Sequence, residues 1–205
     1  MATDLGFVHR FVPATEAGYP PLLLLHGTGG DENDLLTLGR HLSPDAALLS
    51  PRGKVLEDGM PRFFRRLAEG VFDLEDLAVR TRELGQFVDR AREHYGIEKP
   101  IAVGFSNGAN VAASLLLTDP ATLAGAVLMR ARVPFVPRTL PALAGLPVLL
   151  LSGAEDPIVA ADDRDRLAKL FSDAGAAVTY KVVPAGHTLT PHDIAIAARW
   201  LGERG

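Results

Sequence analysis

Short apolar runs alternate with longer amphipathic stretches along this chain, and that rhythm constrains its fold more than any other feature. Mostly continuous apolar runs suit strands covered on both faces, whereas apolar residues at i, i+3, i+4 and i+7 suit helices that pack one side on a sheet. The alternation predicts an α/β fold with a mostly parallel central sheet and helices on both faces. Strands are expected at 7–12, 22–26, 46–50, 101–105, 123–129, 148–152 and 178–183. One helix should begin after an Asp73 N-cap, bury Leu74, Leu77, Ala78, Thr81, Leu84, Val88 and Ala91, and run to about Tyr95. Another carries Leu167, Leu170, Phe171 and Ala174 on one face and should stop near Gly175. A last helix is announced by Thr190 as N-cap and Pro191 at its first position, with Ile194, Ala197, Ala198 and Leu201 turned inward.

Length and composition narrow the function classes. With 205 residues the expectation is one domain spanning 1–205, large enough to bury a substantial core. Residues 130–146 form the one long irregular stretch after residue 106, which leaves little chain for a separate cap domain. The balance of 21 basic and 25 acidic residues gives a net charge of −4, so neither nucleic acid nor a membrane surface is an expected partner. With no cysteine, disulfides, thiolate metal sites and a cysteine nucleophile are all excluded. The start, Met1-Ala2-Thr3-Asp4-Leu5-Gly6, does not read as a secretory signal, and the longest apolar runs are far too short to span a bilayer, so a cytoplasmic location is expected.

Gly104-Phe105-Ser106-Asn107-Gly108 matches G-x-S-x-G. Six serines and 20 glycines in 205 residues make about 0.06 such matches by chance, so context has to decide. That context is favourable: an apolar strand precedes Ser106 and a small-residue helix, Asn107–Thr118, follows it, as in a nucleophile elbow. Side chains two residues before or after the serine would collide with neighbouring backbone, and the tight turn lifts the hydroxyl into solvent. The plain alternative is an ordinary strand–turn–helix with a capping serine.

A serine hydroxyl needs a base, and the base needs an orienting acid. Asp156 follows the strand at 148–152 and His187 follows the strand at 178–183, which places both at the carboxyl edge of the sheet beside Ser106. The chain order Ser106, Asp156, His187 is the order expected on this kind of sheet. Glu155, Asp162 and Asp163 are the competing carboxylates, although the last two read as helix-start residues. His192 reads as exposed, and His9, His41 and His94 fall in no catalytic pattern; no metal site is expected from this set. The glycine-rich turn His26-Gly27-Thr28-Gly29-Gly30 can present backbone N–H groups, with Thr28 and Asn107 amides as the oxyanion donors and His26 bracing the loop. On that reading Thr28→Ala should be nearly silent, whereas Thr28→Pro should cost about 10²-fold or more in rate.

These residues resemble the small carboxylesterases of the phospholipase/carboxylesterase group, particularly a hydroquinone-related hydrolase branch, and are similar to acyl-protein thioesterases. The resemblance is carried by residues 26–32, 51–53, 62–64, 72–73, 104–110, 153–157 and 186–187. It implies an α/β-hydrolase fold, a Ser106–Asp156–His187 triad, and hydrolysis of short-chain carboxylic esters without a cofactor, with aryl esters and thioesters also open. Arg130-Ala131-Arg132-Val133-Pro134 departs from the glycine-containing segment of many thioesterase relatives, which argues against lipid-modified protein substrates. By the same analogy Phe63, Phe64, Phe72 and Met129 line the substrate pocket, or else are plain core; Arg130 contacts an anionic group or lies along the strand end. The expected partner is a small-molecule ester, with a homodimer open. Two readings compete with the esterase: a non-catalytic ligand-binding module on the same fold, and a lactone or small-amide hydrolase using the same triad.

Overall fold

The computed structural model describes residues 5–204; Met1, Ala2, Thr3 and Asp4, on which the reading of the N-terminus rests in part, lie outside the described residues. In chain order the first elements are β1 (His9–Val12), β2 (Leu22–Leu25), α1 (Leu36–Leu42) and β3 (Leu48–Pro51). Two small hairpins follow, β4 (Val55–Glu57) with β5 (Met60–Arg62), and β6 (Arg66–Ala68) with β7 (Val71–Phe72). The rest alternates helix and strand: α2 (Leu74–Tyr95), β8 (Ile101–Phe105), α3 (Asn107–Thr118), β9 (Gly125–Met129), β10 (Pro147–Gly153), α4 (Ala161–Asp173), β11 (Ala177–Val183) and α5 (Pro191–Gly202).

Seven strands form one sheet in the order β1-β3-β2-β8-β9-β10-β11, with β1 antiparallel and every other pairing parallel. The strand alternation sorts side chains into two layers. Leu23, Leu25, Ala102, Leu128 and Leu150 pack with Leu84 and Phe87 of α2, Val111 of α3 and Phe171 of α4. Leu22, Leu24, Val103, Met129 and Leu151 pack with Leu42 of α1 and Trp200 and Leu201 of α5. Burying each such leucine contributes about 1.5–3 kcal/mol, so the central strands are the most strongly held part of the chain.

The helix ends follow their sequence signals. The Asp73 carboxylate accepts from Asp76 N–H at 3.0 Å, and Gly96 ends α2 in the left-handed region at φ +63°. Thr190 and Asp193 form a reciprocal capping box at the start of α5. Of the residues expected to be buried along α2, Leu77, Thr81, Leu84, Val88 and Ala91 are, joined by Phe87, whereas Leu74 and Ala78 are exposed. There Thr81 and Ser114 share a buried hydroxyl–hydroxyl bond of 2.7 Å. The two hairpins and α1 were not expected at all, since strands of two or three residues carry no readable period.

Candidate active site

Ser106 sits between β8 and α3 with φ +51° and ψ −113°, a conformation L-residues rarely adopt and one that costs roughly 1–3 kcal/mol. Two glycines make it sterically feasible. A Cβ on Gly104 would stand 2.7 Å from Ala109 Cα, and one on Gly108 would overlap the Leu25 carbonyl of β2. Ser106 N–H donates to Met129 O at 2.9 Å, which ties the turn to β9. The hydroxyl is thereby raised at the carboxyl edge of the sheet, at the N-terminus of α3.

The loops after β10 and β11 bring the partners. Ser106 Oγ lies 2.8 Å from His187 Nε2, and His187 Nδ1 lies 2.8 Å from Asp156 Oδ2. The Asp156 side chain is fully buried, and its other oxygen accepts from Ile158 N–H at 2.8 Å and Val159 N–H at 3.1 Å, which fixes the carboxylate plane. With Nδ1–H donating to Asp156, Nε2 is left as the acceptor for the serine proton. Gly153 permits the approach of the two loops, since a Cβ there would strike the Ala185 and Gly186 carbonyls. The competing acids are elsewhere: Glu155 and Asp162 are exposed, and Asp163 bonds Arg132 Nε at 3.0 Å.

Arg130 is placed differently from either sequence reading. Its side chain is fully buried and its Nη1 and Nη2 donate to the two Asp193 carboxylate oxygens at 2.8 and 2.9 Å. It also donates to Gly186 O at 2.9 Å and Thr188 O at 3.1 Å, gripping the loop on both sides of His187. Burial alone would raise the Asp193 pKa, but bonds from Arg130 and Thr190 outweigh it and hold the carboxyl below its ordinary value. Asp193, adjacent to the exposed His192, was missed from sequence because a helix-start acid normally faces water.

The turn after β2 is anchored on three sides. His26 Nδ1–H donates to Gly27 O at 2.6 Å while Nε2 accepts from Gly53 N–H at 3.0 Å, a pair of bonds that requires the neutral ring. Burial pushes the His26 pKa down, which suits that role. Gly29 N–H donates to Pro61 O at 3.0 Å, and Arg62 Nη1 donates to Thr28 Oγ1 at 2.9 Å. Asn107 Oδ1 accepts from Phe63 N–H at 2.7 Å. Residues 61–63 therefore hold both Thr28 and Asn107, which line the cavity with Ser106. The Thr28 hydroxyl is thus an acceptor for a buried arginine, a contact beyond the backbone role on which the Thr28→Ala expectation is based.

Of the five residues expected around a substrate, Phe72 lines the cavity, along with Phe105, Ile158 and Val159. Phe63 and Phe64 do not; both are buried, Phe63 against the His26 ring at 4.7 Å and Phe64 against Phe72 at 5.0 Å. Met129 points into the α1/α5 layer, the face to which strand alternation assigns it. Arg130 borders the cavity but its charge is neutralised by Asp193. Arg62, part of the segment 62–64 that carries the resemblance, has no role in the sequence reading of the site, yet it lines the cavity.

Residues 12–203 match the Phospholipase/Carboxylesterase family. The chain is 50% identical over 184 residues to MhqD of Bacillus subtilis (strain 168), which is named as a hydrolase, covering 89% of this chain and 92% of that one. Among solved structures, the Bacillus cereus carboxylesterase superposes with a TM-score of 0.95 at 44% identity, covering 98% of this chain and 95% of that one. A carboxylesterase from Mesorhizobium loti gives 0.89 at 33% identity, covering 98% and 96%. With an α/β-hydrolase sheet, a strained serine at its edge and these likenesses over nearly its full length, the chain belongs to the phospholipase/carboxylesterase family of hydrolases.

Proposed function

We propose that the protein is a serine carboxylesterase that hydrolyses short-chain carboxylic esters through an acyl-enzyme. The observation that carries this reading is the unbroken relay Ser106 Oγ–His187–Asp156, with both links at 2.8 Å. His187 Nε2 takes the hydroxyl proton as Ser106 Oγ attacks the ester carbonyl, and the buried Asp156 carboxylate stabilises the imidazolium that forms. Thr28 and Asn107 N–H groups donate to the oxyanion of the tetrahedral intermediate. His187 then protonates the leaving alkoxide, and water, deprotonated by the same imidazole, releases the acid and restores Ser106. The cavity of about 280 Å³ favours a small substrate over a long acyl chain.

A binding module would have no use for the roughly 1–3 kcal/mol of strain held at Ser106, which weighs against the non-catalytic reading. The test is labelling by a fluorophosphonate, compared between wild type and Ser106→Ala, with turnover of 4-nitrophenyl esters of increasing acyl length. Labelling that is lost in the variant, with acetate and butyrate esters turned over faster than octanoate, is the expected result. Folded wild type that is neither labelled nor active would leave the binding module as the better reading; faster turnover of lactones or amides than of esters would move the assignment to those substrates.

A further inference from the structure

The wall of the cavity over Ser106 is rich in cations. Arg62, Arg66 and Arg132 line it, and the one acid among the described lining residues is Glu69, exposed on the turn between β6 and β7. Arg130, the fourth lining arginine, is neutralised by the buried Asp193. All three of the others are held in place by carboxylates that are not themselves in the lining. Arg132 Nε donates to Asp163 Oδ2 at 3.0 Å, and Arg66 Nε donates to Glu57 Oε1 at 2.7 Å. A guanidinium has five N–H donors; Glu57 Oε1 also lies 2.6 Å from Arg66 Nη2, which leaves Nη1 of Arg66 and both Nη groups of Arg132 for a ligand.

Arg132 is further fixed by its backbone N–H, which donates to Asn110 Oδ1 at 2.8 Å, and by the Phe72 ring, 5.6 Å from the guanidinium carbon. It also rests on Gly70, where a Cβ would stand 2.9 Å from Nη1. Glu57 serves two cations at once, since Arg62 Nε lies 3.2 Å from its other oxygen. Burial chiefly, and the neighbouring Arg66 charge in addition, push the Arg62 pKa down despite Glu57. The three guanidinia are balanced by Glu57, Asp163 and Glu69, so what the wall offers beside the N-terminus of α3 is a set of oriented N–H donors, held before any substrate enters.

We propose that Arg66 and Arg132 form a carboxylate subsite, so that the preferred substrates are short esters bearing a free carboxylate beyond the scissile bond. The proposal rests on the esterase reading and specifies its substrate class. Hydrolysis proceeds at Ser106 as described; the anion adds binding and orientation and takes no part in bond-making. The carboxylate could belong to the acid or to the alcohol half, and two matched substrate pairs separate these: monoethyl glutarate against ethyl pentanoate, and 4-acetoxybenzoate against 4-tolyl acetate.

The quantity to read is the ratio of kcat/KM for the charged ester to that for its neutral partner, in a pH-stat at low and at high salt. The ratio should be about tenfold or more in one pair, which identifies the half recognised, and should shrink with salt. Arg132→Gln and Arg66→Gln should each lower it several-fold, and Glu69→Gln should raise it. Simple structural damage would slow both members and leave the ratio in place. A ratio of one or below in both pairs, or one that the arginine variants do not move, overturns the subsite. Turnover of the neutral esters, abolished by Ser106→Ala, reports separately on the esterase reading. If no ester is hydrolysed, calorimetric binding of glutarate to wild type but not to Arg132→Gln still supports the subsite, and equal or absent binding refutes it.

Discussion

Replacing Arg130 by methionine, which keeps most of the volume and removes the charge, tests how the His187 loop is held. The pair Arg130–Asp193 is fully buried on both sides, and the guanidinium also serves the Gly186, Thr188 and Leu151 carbonyls. Breaking such a pair from one side leaves an uncompensated buried carboxylate and costs about 3–5 kcal/mol. For a chain of 205 residues that is a fall in Tm of roughly 6–20 °C. The loss should depend on pH in a definite direction. In wild type Asp193 is held below its ordinary pKa, so its contribution is complete above about 3.8 and disappears as pH falls through the folded value. Without Arg130, burial raises the folded pKa instead, and the deficit should be largest near neutrality and shrink on acidification. The double variant Arg130→Met/Asp193→Asn removes the stranded charge while keeping an amide oxygen for the Thr190 cap, so it should be more stable than Arg130→Met alone. Its kcat should nonetheless stay about 10²-fold below wild type, because the carbonyls flanking His187 still lack their donor. Urea unfolding across pH, with kcat on a short ester, measures all of this. A cost under about 1 kcal/mol, strictly additive single variants, or a double variant with normal kcat would refute the reasoning.

Three further outcomes follow from the geometry. Because neutral His26 is favoured by folding, stability to urea should begin to fall as pH drops below about 6.5, and His26→Gln should remove that component while leaving the remaining acid limb. Thr28→Val, which deprives Arg62 of an acceptor, should lower kcat about fivefold or more with little change in KM, whereas Thr28→Ser should stay close to wild type; a Thr28→Val enzyme with unchanged kcat would separate the Arg62 contact from the oxyanion loop. Gly108→Ala should yield little folded protein, as read by expression and circular dichroism, since its methyl would fall on the Leu25 carbonyl.

The parts of the fold that the sequence discloses are those with long-range burial behind them. Strand 101–105, helix Asn107–Thr118 and the capped starts of α2 and α5 all show in the pattern because apolar runs, glycines and caps are each required locally. Ser106, Asp156 and His187 could be placed on one sheet edge because each follows an apolar strand that ends there. What escaped is what depends on contacts distant in sequence. The hairpins of residues 55–72 are too short and too charged to show a period, yet they supply Arg62 and Phe63, which hold Thr28 and Asn107. Arg130 and Asp193 look like surface charges until the fold buries them against each other across 63 positions. The phenylalanines of 63–64 are core because the chain after β5 turns inward beneath His26, a turn no local signal announces.

The central claim is that Ser106 becomes acylated and that His187 drives both halves of the cycle. Mixing the enzyme rapidly with excess 4-nitrophenyl acetate under conditions of slow deacylation, and mapping the acetyl group by mass spectrometry after an acid quench, tests it most directly. The account predicts a burst close to one equivalent of 4-nitrophenolate and a single acetyl group on the peptide bearing Ser106, both lost in Ser106→Ala. Sustained turnover with no acetyl group on Ser106, or with the group on another residue, would contradict it.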